Sequence, residues 1–228
     1  GPTVLTLRDV FEAVFDEAGD ALHDHVHLQP ASVLARHAWA AGGRLDLHAD
    51  RERSAEAIAE LAGADEGRRY LQFCRNARQI FETLDSTFIR APRPSPLGLS
   101  LRVGLRRPLR LLGIQPFHTL WALLGRYFHD PRLRQLFGRY ATYCGSSPFA
   151  ATATLALVAH VEQSGVWLVQ GGMQRLAAAL ADLAARRGAR PRYSTEAART
   201  LVEGGRAAGV ALAAGARPPA AAVVPDAD

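Results

Sequence analysis

Residues 167–188 read Trp-Leu-Val-Gln-Gly-Gly-Met-Gln-Arg-Leu-Ala-Ala-Ala-Leu-Ala-Asp-Leu-Ala-Ala-Arg-Arg-Gly. The apolar residues at the start predict a short strand, and Gly171-Gly172 predicts a tight turn because glycine has no Cβ to restrict the backbone. From Met173 onward, apolar residues recur at helical spacing. Gly188 stands where a left-handed helix cap is expected. The stretch therefore predicts a strand, a glycine turn and a helix in direct succession.

The glycine turn at 171–172 has two interpretations. The free N–H groups and the dipole of a helix N-terminus can bind a diphosphate. Alternatively, the glycines only let the strand and the helix pack closely, which is the commoner use of glycine at such a turn. Beyond the helix, the sequence predicts a second strand pair, 190–201 and 207–213, joined by a glycine turn at 203–205.

The composition is that of a globular protein. The 228 residues are 48% hydrophobic and 21% charged, which suits one or two packed domains and argues against disorder. No uninterrupted apolar run of about 18 residues predicts a membrane-spanning helix, and no export leader is visible. Cys74 and Cys144 form no spacing motif, so we expect two buried free thiols in a reducing compartment.

The positive charge is distributed unevenly. All 27 basic residues are arginine and the net charge is +5, but a biased genome can produce such a composition, so we predict no nucleic-acid partner from it. Between Asp85 and Asp130, however, there are seven arginines and no carboxylate. This window predicts a local positive field.

Within that window, residues 97–128 interleave leucines with arginines and then continue into an aromatic segment. The residues of interest are Arg102, Arg106, Arg107, Arg110, Trp121, Tyr127 and Phe128. An apolar face bordered by arginine is typical of a helix that lies in a membrane interface, where each arginine gains ~1 kcal/mol from anionic head groups. The alternative is a buried helical layer whose arginines reach solvent. The sequence leaves both interpretations open.

The first fifty residues predict a helix followed by strands. Thr6 can cap the helix, and its apolar face comprises Val10, Phe11, Val14 and Phe15. Residues 25–29, 32–40 and 44–48 have the alternation and the turns of an antiparallel meander.

Three histidines, His23, His25 and His27, alternate at the start of the first predicted strand and just before it. Strand spacing would place them on one face, but no carboxylate or cysteine completes a metal-binding pattern. We therefore predict a solvated strand face and no metal site.

The middle of the chain predicts helices. One spans about 54–61, and a break at 63–65 separates it from a second helix, which ends before the prolines at 92–96. The apolar stripe of the second helix comprises Tyr70, Phe73, Cys74, Ala77, Ile80, Phe81 and Leu84. Asp130-Pro131 predicts another helix start, with an N-cap followed by proline, and residues 150–162 predict a further apolar helix.

Several segments carry a family resemblance when they are taken in order. They are Gly1-Pro-Thr-Val-Leu-Thr, the loop Tyr143–Pro148, His160-Val-Glu-Gln-Ser-Gly-Val-Trp, Gly171-Gly-Met and Glu203-Gly-Gly-Arg-Ala-Ala-Gly-Val. Together they resemble the bacterial carotenoid desaturases of the phytoene desaturase family, with the greatest likeness to the hydroxyneurosporene and methoxyneurosporene branch. The resemblance covers essentially the whole chain.

The resemblance implies an FAD-dependent oxidoreductase of amine-oxidase-like α/β fold, cytoplasmic and peripheral to the inner membrane. Its reaction would be 3,4-desaturation of a membrane-dissolved C40 carotenoid, by hydride transfer to flavin and loss of a proton from the neighbouring carbon. Residues 1–49 and 146–165 would belong to a mixed β substrate domain, 50–145 to a helical membrane-facing insertion, and 166–228 to the returning part of the FAD-binding domain. The arginines named above and Trp121 would form the membrane-side substrate entrance.

The cofactor-binding positions that the resemblance implies are Gly171, Gly172, Met173, Glu196, Ala197 and Asp226. Two departures from the family pattern concern this set: Ala197 replaces a valine that packs against adenine, and Asp226 replaces an asparagine. The family's opening Gly-x-Gly-x-x-Gly unit and its closing glycine-rich flavin segment are both missing from the sequence. We therefore expect an internal fragment of a longer enzyme, inactive and unable to retain FAD alone.

No Ser-His-Asp or Cys-His grouping stands out, and hydride transfer from a polyene requires no protein nucleophile. The titratable candidates for a catalytic role are His37, His160 and Glu162, although each also suits a structural role. Two other functions remain as alternatives: a non-enzymatic peripheral membrane or partner-binding helical module, and a flavin amine oxidase-like enzyme acting on another lipophilic substrate.

Overall fold

The computed structural model of the chain describes residues 3–85, 89–90 and 118–225. The backbone packs into two compact units, Gly1–Ala179 and Leu180–Asp228. Both helices and strands are present, in agreement with the predicted α/β class.

The helices and strands of the described residues are, in chain order, α1 (Arg8–Glu17), α2 (Leu22–His25), β1 (Leu28–Pro30), β2 (Val33–Ala38), β3 (Arg44–His48), α3 (Arg51–Ala62), α4 (Ala64–Leu84), α5 (Leu120–Tyr127), α6 (Pro131–Gly138), α7 (Leu157–Gln163), β4 (Trp167–Val169), α8 (Met173–Arg186), β5 (Ala197–Glu203) and β6 (Arg206–Leu212). Two 3-10 helices of this part of the chain, Arg139–Cys144 and Ala153–Ala156, precede α7. The helix predicted over 150–162 therefore begins with a 3-10 segment, and its α-helical part starts later than expected.

The first unit is organised around α4, which packs against α3, α5 and α7. Its predicted apolar stripe is confirmed, since the buried members are Tyr70, Phe73, Cys74, Ala77, Ile80 and Leu84. The α3–α4 contact is close because of Gly67, where a Cβ would lie 2.6 Å from the carbonyl oxygen of Ala55. The strand β3 packs on α3, so the helices cover one side of the β2–β3 pair.

Two of the helix starts follow the capping chemistry of the sequence. The Asp130 carboxylate accepts a hydrogen bond from the backbone N–H of Arg132 at 2.8 Å, and Pro131 is the first helical residue, as predicted. Asp50 caps α3 in the same way through the N–H of Arg53 at 2.9 Å. Because of that cap, α3 begins three residues earlier than the apolar pattern alone indicated.

The strand pairing differs from the predicted meander. The strands β2 and β3 form an antiparallel hairpin, with Ala38 opposite Arg44, but β1 pairs with β4, with Leu28 opposite Val169. The meander prediction was wrong because the alternation of apolar residues specifies a strand and not its partner.

The N-terminal segment also corrects two predictions. The helix α1 starts after Leu7, whose backbone is left-handed (φ 49°), and no side chain caps it, so Thr6 is not the cap. Of the predicted apolar face, Phe15 is buried while Val10 and Val14 are exposed. His23 and His25 lie in α2, so the three alternating histidines do not share a strand face. The described residues contain no group of three or more metal-ligating side chains.

The second unit contains the end of α8 and the β5–β6 pair. Gly188 follows the helix with φ 93°, as the predicted left-handed cap requires. The hairpin turns at Gly204-Gly205, and Val202 is paired with Ala207. The strand β5 begins at Ala197, so the prediction that it starts at 190 was wrong. Residues 190–196, including the proline at 191, lie outside the ladder, where a missing N–H costs nothing.

Candidate functional site

The helix α7 carries a buried carboxylate that is held by three donors. The Glu162 side chain is only 9% exposed, and Nη2 of Arg139 donates to its two oxygens at 2.9 and 2.8 Å. The hydroxyl of Tyr140 donates at 2.9 Å and that of Tyr143 at 3.3 Å. We call these four residues, Arg139, Tyr140, Tyr143 and Glu162, the carboxylate cluster.

The partners of the Glu162 carboxylate compensate for its burial. A buried carboxylate is costly unless it is paired and hydrogen-bonded, and the guanidinium of Arg139 supplies both. Burial, followed by the negative charge of Glu162, raises the pKa of Tyr140 and of Tyr143. Both phenols therefore stay protonated at neutral pH and remain hydrogen-bond donors.

His37 lies on β2, next to this cluster. Its ring stacks at 6.1 Å on that of Trp39, which directly follows β2. Nε1 of Trp39 donates to Gln135 of α6 at 2.9 Å. Gln135 is one helical turn before Arg139, so β2 runs alongside the elements that carry the cluster.

The protonation state of His37 follows from this position. Burial, then the positive charge of Arg139, lowers the pKa of His37, and Glu162 opposes the shift. The imidazole is therefore largely neutral at pH 7 and can accept a proton. Its Nε2 is buried and has no hydrogen-bond partner among the residues that the structure describes. The chain thus places a neutral base, whose Nε2 is buried and lacks a partner among the described residues, near the ion pair of Arg139 and Glu162.

His160 lies on the same helix as Glu162 but faces elsewhere. Its ring packs against Phe81 at 4.9 Å, and its Nε2 is 3.4 Å from the hydroxyl of Ser164. Two residues apart on a helix do not face each other. Of the three catalytic candidates, the structure therefore brings His37 and Glu162 together and leaves His160 on another face of α7.

The sequence reasoning did not identify Arg139, Tyr140 and Tyr143 as site residues. The sequence predicts a loop from Tyr143 onward, but Tyr143 lies with Arg139 and Tyr140 in one 3-10 helix. One available signal was that an arginine and two tyrosines follow each other within five residues. Their shared acceptor is about twenty residues further along, and nothing in the local pattern specifies it.

The glycine turn at 171–172 has the predicted form. Gly171 and Gly172 have φ values of 82° and 86°, and α8 starts at Met173, which is half-buried. A Cβ on Gly172 would meet no described atom within 4 Å, whereas one on Gly171 would lie 3.0 Å from Cγ of Arg175. Gly171 and Arg175 line an open cavity of about 440 Å³ whose other walls include His23, His25 and His27.

This cavity has the chemistry of an anion site. The positive end of the α8 dipole and the guanidinium of Arg175 face the same space. Among the described residues that line the cavity, Asp24 is the one acidic side chain. The arrangement therefore fits a phosphate group, which a helix N-terminus and an arginine both favour.

The other predicted cofactor positions lie in the second unit. Glu196 and Ala197 are exposed, at the start of β5, where the carbonyl oxygen of Glu196 accepts from the N–H of Ala213 at 3.0 Å. Asp226 lies outside the described residues.

Of the predicted membrane entrance over 97–128, the structure describes residues 118–128. Trp121 on α5 is half-buried, with the guanidinium of Arg134 4.5 Å above its ring and Phe149 packed at 4.8 Å. Phe128 is fully buried and Tyr127 packs edge-on against Phe73, so over 120–128 the buried-layer interpretation is correct. The four arginines (Arg102, Arg106, Arg107 and Arg110) lie outside the described residues. Within the described part of the chain, no helix is both long and apolar enough to cross a membrane.

The cysteines match the sequence prediction only in part. Cys74 is buried, and the side-chain amide of Gln163 donates to its sulfur at 2.9 Å. Cys144 is exposed, so the expectation of two buried thiols was wrong for this residue, because it ends a 3-10 helix at a surface turn.

Comparisons with known proteins define the class of the chain. No protein-family model matches the sequence. The chain is 51% identical to a hydroxyneurosporene desaturase of Rubrivivax gelatinosus over 216 residues, which are 94% of this chain and 41% of the relative. It is 46% identical to a hydroxyneurosporene desaturase of Cereibacter sphaeroides, over 98% of this chain and 45% of the relative. A phytoene dehydrogenase of Streptomyces griseus is 32% identical over 92% of this chain and 41% of that protein.

These relatives are oxidoreductases that act on carotenoids. The chain belongs to the carotenoid desaturase family, and three relatives named for hydroxyneurosporene are 51%, 46% and 39% identical to it. It spans less than half of the length of the curated relatives it matches.

Proposed function

We propose that the protein carrying this chain is an FAD-dependent carotenoid desaturase that introduces a double bond into a hydroxyneurosporene-type C40 substrate. The observation that carries the proposal is the 51% identity with a hydroxyneurosporene desaturase over 94% of the chain. At such identity, over nearly every described element, a shared reaction is the simplest explanation. The same identity favours an enzyme over a non-enzymatic membrane module.

The proposed architecture is that of an amine-oxidase-like flavoprotein. Residues 1–49 and 146–165 would form part of the substrate domain, 50–145 the helical insertion, and 166–228 the returning part of the FAD-binding domain. The glycine turn and its helix support the last assignment, because an FAD-binding domain uses such turns to approach the cofactor closely.

The cavity at the glycine turn fits part of FAD, since Arg175 and the start of α8 suit a phosphate. We propose that Gly171, Gly172 and Met173 contact the cofactor there. Glu196, Ala197 and Asp226 are the further cofactor-binding positions that we propose. FAD, when bound, supplies the acceptor for the hydride that leaves the substrate.

The chain's own residues would handle the proton. Loss of a hydride from one carbon leaves a cation that the polyene delocalises, and a proton from the neighbouring carbon must then leave to complete the double bond. We assign His37 as the acceptor, because its imidazole is neutral and its Nε2 has no hydrogen-bond partner among the described residues. The ion pair of Arg139 with Glu162 would keep the surroundings of this base fixed, so that the substrate carbon is presented to one nitrogen.

The substrate would reach the site from the membrane. A C40 hydrocarbon is essentially insoluble in water, so a cytoplasmic enzyme must meet it at the bilayer, and we propose that the protein is peripheral to the inner membrane. The arginine-rich window between Asp85 and Asp130 supports this assignment, because anionic head groups attract such surfaces. Trp121 would lie at the edge of the entrance.

The test is a desaturation assay on the complete gene product. The protein, with FAD, is mixed with the hydroxylated carotenoid in anionic liposomes, and the absorption maximum is followed. Each new conjugated double bond should move the maximum to longer wavelength, and the shift should require FAD. An unchanged spectrum with flavin bound would reject the desaturase proposal. Sedimentation with the same liposomes at low and high salt tests the membrane contact, which should weaken as charges are screened.

A second experiment tests the glycine turn. Gly171→Val in the complete gene product should lower flavin occupancy, because a side chain there displaces Arg175 and strains a left-handed backbone. Gly188→Val is the matched control, since Gly188 has a similar φ of 93° and no described atom near its Cβ position. Absorbance of flavin per protein gives the occupancy. Equal losses in both variants would mean that the turn only packs the helix.

A further inference from the structure

The loop after the 3-10 helix Arg139–Cys144 carries an exposed apolar tip, Pro148-Phe149-Ala150. Phe149 is 64% exposed. Its ring is not isolated, because it packs at 4.8 Å against that of Trp121, which is itself only half-buried. A single exposed apolar side chain is common on a soluble protein, whereas adjoining exposed apolar side chains mark an interaction site.

The N–H groups of the apolar tip are satisfied within the chain. The N–H of Ala150 donates to the carbonyl oxygen of Ser147 at 3.0 Å. The N–H of Phe149 donates to the hydroxyl of Ser147 at 3.4 Å, and Pro148 has no N–H. The carbonyl oxygen of Pro148 accepts from the N–H of Trp121 at 3.0 Å. The tip therefore brings no unpaired N–H into an apolar phase, where such a group is costly.

Beside the apolar tip, a tryptophan of α5 and an arginine of α6 are stacked. The guanidinium of Arg134 lies 4.5 Å from the centre of the Trp121 ring. Gly125 makes room for it, since a Cβ there would lie 3.2 Å from Nη2 of Arg134. Between residues 118 and 161 the sequence has four arginines and one carboxylate, that of Asp130. The segment that carries the tip is therefore basic, and tryptophan beside arginine is typical of a membrane interface.

A bilayer suits this surface better than a protein partner does. Protein interfaces contain about one hydrogen bond per 100–200 Å² of buried area, but the three side chains of the apolar tip are apolar and its N–H groups are already used. Lipid chains require no hydrogen-bond partners from the protein. The arginines of the same segment complement the charge of anionic head groups.

We propose that Phe149 inserts into the boundary between head groups and acyl chains of an anionic bilayer, with Trp121 and Arg134 at the level of the head groups. This inference rests on the proposed function, which requires the enzyme to meet its substrate in a membrane. It adds an apolar contact to the charge-based contact of the arginine-rich window. The two respond differently to salt, because screening weakens the attraction between charges and does not weaken apolar burial.

Sedimentation of the complete gene product with vesicles at high salt isolates the apolar contact. The vesicles contain phosphatidylcholine and phosphatidylglycerol, in about 1 M NaCl, where the Debye length is ~3 Å. The wild type should keep part of its binding there. Phe149→Ala should lower the remaining partition coefficient by about tenfold, because the ring no longer leaves water. Phe149→Trp should restore it, since tryptophan favours the interface.

The matched control is Tyr193→Ala. Tyr193 is 75% exposed, lies between α8 and β5 in the second unit, and is preceded by arginines at 190 and 192. Its truncation should change the partition coefficient at high salt by less than about twofold. Equal losses from Phe149→Ala and Tyr193→Ala would overturn the proposal, because any exposed ring would then have the same effect.

Two other results would also overturn the inference. One is a wild type that does not bind the vesicles at high salt. The other is a Phe149→Ala variant that partitions like the wild type but unfolds more easily, which would show that the rest of the gene product covers this ring. Turnover of carotenoid in detergent micelles is scored separately, and Phe149→Ala should match the wild type there. A wild type without turnover would reject the desaturase proposal, while its salt-resistant partitioning would still support the insertion of Phe149.

Discussion

Two regions of the first unit meet at one residue and differ in kind. The first is the aromatic core, in which the ring of Phe137 lies within 6.1 Å of four other rings: those of Tyr70, Phe73, Phe128 and Tyr140. The second is the carboxylate cluster around Glu162. Tyr140 belongs to both, because its ring packs in the core while its hydroxyl bonds Glu162.

The two regions differ in the kind of interaction that holds them together. The contacts of the aromatic core are apolar and non-directional, so their contribution to the free energy of unfolding scales with buried area and packing. The carboxylate cluster is directional, and its net contribution to folding is small because desolvation offsets the ion pair. We therefore expect changes in the core to have the larger effect on stability, and changes in the cluster to have a smaller effect on stability and to act on the site as well.

The largest effect is expected from Phe137→Ala. Truncation of a fully buried aromatic side chain costs ~3–5 kcal/mol of the free energy of unfolding, and four ring contacts would be lost at once. That is a large fraction of the ~5–15 kcal/mol that a typical domain has. Chemical denaturation of the complete gene product, followed by circular dichroism, measures the change.

Phe149→Ala is the control for this prediction. Phe149 is 64% exposed and packs against Trp121, so its removal should cost less than about 1 kcal/mol. Comparable losses from the two alanine variants would show that the aromatic core does not carry the stability of this unit.

A smaller effect is expected from Tyr140→Phe, which tests the point where the two regions meet. The ring and its packing remain, and only the hydrogen bond to Glu162 is lost. Such a bond to a charged acceptor contributes about 1.5–3 kcal/mol, and Arg139 and Tyr143 still hold the carboxylate. The free energy of unfolding should fall by about that amount.

The companion variant Tyr143→Phe loses a longer and more exposed bond. It should cost less than Tyr140→Phe in the same denaturation experiment. If the order is reversed, the burial of Tyr140 does not strengthen its hydrogen bond, and the distinction between core and cluster is weaker than we argue.

The sequence predicted those parts of this picture that depend on local spacing. The α4 stripe, the Asp130 cap and the turn at Gly171-Gly172 are all set by residues within one or two turns of each other, and each was confirmed. The boundaries were less accurate: Asp50 starts α3 earlier, and β5 is shorter than its apolar pattern, because caps and partners override propensity.

The carboxylate cluster could not be predicted in the same way. Its ion pair joins residues 23 apart in the chain, and His37 comes from a strand in the first fifty residues. Such contacts depend on how α6 turns into the following 3-10 helix and on which strand lies beside it. The pairing of β1 with β4 was missed for the same reason, since alternation does not name a distant partner.

The smallest effect, and the last prediction, is a pH dependence of stability from two histidines. Burial first, then a positive neighbour, lowers the pKa of both below the usual 6.5: Arg139 acts on His37, where Glu162 opposes it, and Arg78 acts on His160, where Glu82 opposes it. Because the unfolded chain binds these protons at higher pH than the folded one, their stabilising effect is complete above pH 6.5. It is lost as the pH falls from 6.5 through the lowered values. The free energy of unfolding should therefore decline over that window, and His37→Phe and His160→Phe should each flatten part of the slope.

The two reductions should add, since the side chains face different partners. A slope unchanged by His37→Phe would mean that its imidazole titrates alike in the folded and unfolded chain. The neutral base that we assign beside the carboxylate cluster would then lose its basis.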